Sequence, residues 1–184
     1  MNNYSLPHLP QLFQELSAGR HISIKDGALF YSLIDEYSKF TALFEALGFK
    51  LVRHARDFFY FEQEGKVNTV LTKQMSLFVF LLIDHLDRTE GDLEGVLLVQ
   101  KFAIENLPHL KTERFTELMA EVNITDEAGL IKALEGLQQY GFATLHNKES
   151  FEFNPPVYRF FDICVEAISE TSNVESFVDV KEKI

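Results

Sequence analysis

His54-Ala55-Arg56-Asp57-Phe58-Phe59-Tyr60-Phe61 and His146-Asn147-Lys148-Glu149-Ser150-Phe151-Glu152-Phe153 align without a gap, and both follow a helical stripe that closes on Gly-Phe. The shared order is helix, Gly-Phe, strand, then His-x-basic-acid-x-Phe-x-Phe. Aromatic residues recurring after a short polar turn are the pattern of a hairpin with a buried face. Two readings account for the likeness. Any helix followed by an amphipathic hairpin converges on such a pattern, or the chain repeats a helical unit closed by a two-stranded wing. The second reading describes tandem winged-helix domains, a mainly α fold with small β-hairpins (α+β).

Upstream of the first hairpin, Leu12, Phe13 and Leu16 predict a short amphipathic helix that stops near Gly19, followed by an extended Arg20–Ile24. Asp26 is placed to cap the next helix. Phe30, Leu33, Ile34, Tyr37, Phe40, Leu43, Phe44 and Leu47 recur at three and four residues, which fits one long helix or two successive ones ending at Gly48. Phe49–Arg53 and Phe58–Phe61 are the two strands.

Between the hairpins, Thr72–Asp87 is the most apolar segment; from Met75 to Ile83 only Ser76 is polar, so a helix here belongs between layers. A loop at Thr89-Glu90-Gly91-Asp92 then predicts a helix from Leu93 to Asn106 closed by Pro108. Thr112–Val122 reads as a further helix with Phe115, Leu118 and Met119 inward. Thr125 is the expected N-cap of a helix carrying Leu130, Ile131, Leu134, Leu137 and Tyr140 and ending at Gly141. Pro155-Pro156 breaks the chain before an apolar helix over Tyr158–Ile168. The boundaries that follow are an N-terminal winged-helix domain over 1–66, a C-terminal one over 67–157, a C-terminal helix over 158–170 and a loosely held tail over 171–184.

Composition narrows the classes. In 184 residues, 46% hydrophobic and 24% charged residues with only 9 Gly and 5 Pro exclude a fibrous or wholly disordered chain. Phe is abundant at 18 copies and Trp is absent, which supplies a core and favours interfaces. One cysteine, Cys164, rules out an intrachain disulfide and a multi-cysteine metal site, as expected for a reducing cytoplasm. No apolar run reaches the length of a membrane span. The net charge is −11, unevenly spread: residues 1–62 carry 6 basic and 7 acidic groups, and residues 63–170 carry 9 and 18. Any nucleic-acid contact is therefore expected to be local.

Chemical motifs are sparse. No glycine spacing matches a phosphate loop or dinucleotide fingerprint, and the six histidines show neither HExxH nor a paired-ligand spacing. No cofactor is expected, and no metal or catalytic residues are assigned. Cys164, in the apolar run Phe160–Val165, reads as a buried thiol, and Asp84-His85-Leu86-Asp87 as the polar end of an apolar helix. Winged helices read DNA with the helix before the wing and with basic wing residues at the backbone. Before the second wing the outward positions are Lys132, Glu135, Gly136, Gln138 and Gln139, a poor phosphate surface. The first wing is richer: Lys50, Arg53, His54 and Arg56 fall within seven residues, diluted by Asp57, and are the DNA-contact candidates. A solvated charged turn is the plainer alternative.

Gly19-Arg20-His21-Ile22, then Phe58-Phe59-Tyr60, then Leu134-x-x-Leu137-x-x-x-Gly141-Phe142, Phe151 and Tyr158-Arg159-Phe160 together resemble the MukE and MksE family of bacterial condensin subunits. The likeness covers about residues 10–165 and is nearest to the shorter MksE branch, since no long acidic C-terminal extension follows. It implies a non-enzymatic, cytoplasmic, nucleoid-associated tandem winged-helix subunit that homodimerises and grips a kleisin (MksF-like), which bridges the heads of an SMC-like ATPase (MksB-like). The implied task is chromosome organisation, condensation and segregation. Gln138 and Gln139 stand where a DNA-contacting relative would carry arginines. The competing expectation is a winged-helix transcription regulator.

Overall fold

The computed structural model describes residues 6–62, 70–89 and 96–162. It is mainly helical with two small antiparallel sheets, the α+β class expected. Helix α1 (Leu9–Ser17) precedes strand β1 (Ile22–Ser23), and helices α2 (Ala28–Asp35) and α3 (Tyr37–Ala46) lead to β2 (Lys50–Arg53) and β3 (Phe58–Glu62). The 3.6-residue stripe from Phe30 to Leu47 is thus cut in two at Glu36. Asp26 does not cap α2, whose N-cap is Gly27. Its carboxylate instead accepts from the backbone N–H of Ser23 at 2.8 Å, closing a capping box on a single 3₁₀ turn.

The second unit opens with the long helix α4 (Val70–Thr89). The helix expected over Leu93–Asn106 does not run to Asn106: residues 93–95 lie outside the described residues, and residues 96–97 are helical. Residues 98–99 turn, Phe102–Ala103 become strand β4, and Ile104–Asn106 make one 3₁₀ turn. Phe102 has gone to the sheet, where it stacks on Phe151 with ring centroids 5.3 Å apart. Helix α5 (Glu113–Glu121) is capped by Thr112, and α6 (Glu127–Gln139) is capped by Asp126, not Thr125, because the Asp126 carboxylate accepts from Gly129 N–H at 2.9 Å. Gly136 faces inward, packed under Leu71 and Met75, which corrects its outward assignment. Strands β5 (Ala143–His146) and β6 (Ser150–Phe153) end the unit, and after a 3₁₀ turn at Pro155–Val157 residues 158–162 are helical. Cys164, the remainder of the helix expected over Tyr158–Ile168 and the expected tail lie outside the described residues.

Both sheets have three strands with the last strand in the middle, in the orders β1-β3-β2 and β4-β6-β5. Their registers coincide under a shift of 92 residues: Arg53 pairs with Phe59 as Leu145 pairs with Phe151. Each middle strand also takes a short first strand at the same residue, Ile22 opposite Phe59 and Phe102 opposite Phe151. The likeness of the two octapeptides therefore extends to strand pairing.

Each unit has its own core. Phe59 and Phe61 join Leu12, Leu16, Leu33, Phe40 and Phe44 in the first. In the second, one face of α4 (Met75, Phe78, Leu82, Leu86) packs on Leu134, Leu137, Phe151 and Phe153. His109 is fully buried there, its ring stacked 4.2 Å from that of Phe78 and its Nε2–H donating to the Phe78 carbonyl at 2.8 Å. No helix among the described residues is long and apolar enough to cross a membrane.

Phe59 and Leu134 are wholly buried in the two cores. An aspartate at either place buries an unpaired charge, so Phe59→Asp and Leu134→Asp are each expected to destabilise the protein by about 3 kcal/mol or more. Urea unfolding followed by circular dichroism measures this; a wild-type midpoint in either variant means its side chain faces solvent.

Candidate functional site

The four residues proposed for DNA contact all sit on the first hairpin, and each has an intramolecular partner. Lys50 Nζ pairs with Glu62 across the ladder at 2.5 Å. Arg53 reaches over the turn to Asp57, with Nη2 2.7 Å and Nε 3.2 Å from one carboxylate oxygen. Asp57 adopts a left-handed conformation, φ 53°, that folds its carboxylate back toward this guanidinium.

His54 and Arg56 turn the other way, toward the start of the C-terminal helix. The His54 Nδ1 accepts from the Arg56 backbone N–H at 3.1 Å, which leaves Nε2 to carry the proton and donate to Asp162 Oδ2 at 2.9 Å. The His54 ring also stacks on Phe58, 4.2 Å between centroids. The Arg56 guanidinium lies 3.9 Å above the centroid of the Tyr158 ring, which is buried beneath it. One turn of helix thus offers Tyr158 and Asp162, at positions i and i+4, to two residues of one hairpin turn.

Behind this contact lies a joint between the two units that reasoning from composition and spacing did not assign. The first four residues of β3, Phe58-Phe59-Tyr60-Phe61, are all buried. Phe59 and Phe61 enter the first core, while Phe58 and Tyr60 point away from it. The His21 ring stacks 5.2 Å from Tyr60 and lies 4.6 Å from Phe142 of the second unit. Arg159 covers Tyr60, 4.4 Å from the ring centroid, and donates to its hydroxyl at 3.1 Å. Phe160 meets Phe142 edge to face at 4.9 Å.

Backbone contacts seal the joint. The His21 N–H donates to the Tyr140 carbonyl at 3.0 Å. Gly141 (φ +83°) lies so close to the His21 carbonyl that a Cβ there would overlap the oxygen. Lys25 and Glu152 pair across the units at 2.7 Å, and this hydrogen bond holds the Glu152 carboxyl below the usual carboxylate range. Burial, reinforced by the nearby Arg159 charge, lowers the His21 pKa to about 3. The signal for this joint was in the sequence: His21, Tyr60, Gly141, Phe142, Arg159 and Phe160 all belong to the motifs that carry the family resemblance.

The second hairpin is less basic. Lys148 pairs with Glu135 at 2.7 Å, and the Gln138 Oε1 accepts from the Leu145 N–H at 2.8 Å, capping the outer edge of β5. Gln138 therefore has a structural task where a phosphate contact would need an arginine. Asp84, singled out in the Asp84-His85-Leu86-Asp87 run, pairs with Arg88 at 2.7 Å and Arg114 at 3.5 Å. No cluster of His, Cys, Asp or Glu able to hold a metal occurs among the described residues.

Gly48 and Gly141 provide a matched test of the joint, because both adopt φ +83° before a Phe but only Gly141 touches the other unit. Gly48→Ala should cost about 1 kcal/mol, the strain of a left-handed alanine. Gly141→Ala should cost at least about 2 kcal/mol more in urea unfolding, since His21 must retreat; equal costs would mean the units do not meet there.

Acid should loosen the same structure. Burial holds the His109 pKa at about 4, and His21 at about 3, against 6.5 for a free histidine. The unfolded chain then binds these protons first, so stability is complete above about pH 6.5 and falls as pH drops toward 4, by about 1.4 kcal/mol per pH unit for His109. His109→Gln should flatten the slope of urea stability between pH 6 and 4.5 by about one proton; an unchanged slope would mean that His109 is already charged in the fold.

A search of curated proteins finds no match. The family model of condensin complex protein MksE, in contrast, matches residues 7–165, a span that takes in both sheets, the joint and the helical turn at 158–162. With most of the sequence covered, the chain belongs to the MksE family of condensin complex proteins.

Proposed function

We propose that this chain is the non-catalytic accessory subunit of a bacterial condensin, a homodimer of tandem winged-helix protomers that grips the kleisin (MksF-like) and supports an SMC-like ATPase (MksB-like) as it organises, condenses and segregates the chromosome. It acts in the cytoplasm, associated with the nucleoid. The observation that carries this reading is the family match over residues 7–165, which spans both hairpin units and so applies to the whole described fold. The domain limits proposed are 1–66 and 67–157, followed by a C-terminal helix over 158–170 and a loosely ordered tail over 171–184; the two separate cores support the division into two units.

Dimerisation is supported by α4. Its buried face packs within the chain, yet Leu77, Phe80 and Ile83, at spacings of three, stay only half-buried. An apolar stripe of this kind on a small protein suits a second protomer. The regulator reading is weaker. The helix before the second wing presents Lys132, Glu135, Gln138 and Gln139, without a run of basic residues, and Lys50, Arg53, His54 and Arg56 of the first hairpin are each held by a side chain of the same protein.

Affinity capture from native cytoplasm, read by mass spectrometry, should recover a kleisin and an SMC-like ATPase; recovery of neither, with sequence-specific DNA binding by the chain alone, would favour the regulator. Sedimentation equilibrium at micromolar protein should give twice the 21.2 kDa monomer mass. A monomer alone would overturn the dimer.

A further inference from the structure

We propose that the first turn of the C-terminal helix is a latch that holds the first wing closed against DNA, and that displacing it is what arms the wing. The inference rests on the reading of the first wing as the DNA-contacting element. Three contacts form the latch, each joining a residue of the first hairpin to a residue about a hundred positions later: Arg56 on Tyr158, His54 on Asp162, and Tyr60 under Arg159.

The latch acts on charge and on geometry together. Closed, it holds the Asp162 carboxylate on His54 while Asp57 holds Arg53, so two acids are bound to side chains of the one hairpin. It also holds the Arg56 guanidinium over a ring, 3.9 Å from the centroid of Tyr158. Phosphate contact by this turn then competes with the latch. Open, the turn loses one acid and regains a mobile guanidinium. Asp162 is 41% exposed and His54 17% exposed at their contact, so the outer half of the latch sits at the surface while Tyr60 and Tyr158 are buried. Such a contact can open locally without unfolding either core. A two-state element whose closed form excludes DNA reduces the apparent affinity by the fraction closed.

The test is titration of fluorescent duplex DNA at several salt concentrations with the full chain. Tyr158→Leu keeps apolar bulk but removes the aromatic face under Arg56, with no change in charge; Asp162→Asn alters a half-exposed side chain. Thermal melts confirm that each variant folds. Combined, they are expected to tighten DNA binding about tenfold at low salt and to steepen the salt dependence by about one unit, the signature of one further phosphate contact. Adding Arg56→Ala should remove the gain. A gain that survives Arg56→Ala comes from the lost Asp162 charge alone and overturns the latch. So does unchanged binding in the latch variants when Arg53→Ala with Arg56→Ala still weakens DNA binding by the complex assembled with kleisin and ATPase. If that double variant leaves the assembled complex unaffected, the wing is not a DNA contact, and the latch falls with the reading on which it rests.

Discussion

Burial of β3 on both faces is the constraint on which the rest of the structure depends. A strand at the outside of a small unit normally alternates, apolar inward and polar outward, because one face stays wet. Ser150-Phe151-Glu152-Phe153 does so, whereas Phe58-Phe59-Tyr60-Phe61 has no polar position except the tyrosine hydroxyl. Burying Phe58 and Tyr60 contributes about 1.5–3 kcal/mol for each ring, available only if another layer lies over the first sheet. His21, Phe142 and the helical turn at 158–162 provide that layer. Gly141 lacks a Cβ where the second unit must approach the His21 backbone. The Tyr60 hydroxyl needs a partner in such a site and finds the Arg159 guanidinium.

Much of this fold is legible in the residue order. The Phe30–Leu47 stripe, the two Gly-Phe steps, the hairpins and the all-round apolar α4 follow from periodicity and turn chemistry, and the match of the octapeptides foreshadows equal strand register. The failures have physical causes. Phe102 and Ile104 lie at spacings that pass for the continuation of a helix, but the helical residues 96–97 give way to a turn and Phe102 enters the sheet, where it stacks on Phe151. Thr125 and Asp126 are both good caps, and only backbone direction decides that Asp126 reaches Gly129. Gly136 looked outward because a missing side chain carries no periodicity; it is the place where α6 and α4 come close.

The candidate site was half legible. Spacing gathered Lys50, Arg53, His54 and Arg56 on one hairpin, and they are gathered there. Spacing could not show that Asp57, Glu62, Asp162 and Tyr158 occupy them, because the four ties are to residues on another strand, across the turn or in the helical turn at 158–162. A count of local charge therefore overstates the positive field at the turn. The joint was missed for a related reason: its members are scattered over 140 residues, from His21 to Phe160, and each looks like an ordinary aromatic or basic residue in its own segment.

That scatter has a consequence during synthesis. The first unit has all of its own strands and helices once Glu62 leaves the ribosome, yet Phe142, Tyr158 and Arg159 follow some 80 to 100 residues later. At about 5–20 residues per second, the outer face of β3 waits roughly 4–20 s for its covering layer. For that interval the nascent chain shows Phe58 and Tyr60 to the surrounding solution, a sticky surface on an otherwise completed unit. Slow translation between the two hairpins would prolong this exposure, and a chaperone that shields aromatic surface would find its target there before any partner subunit can.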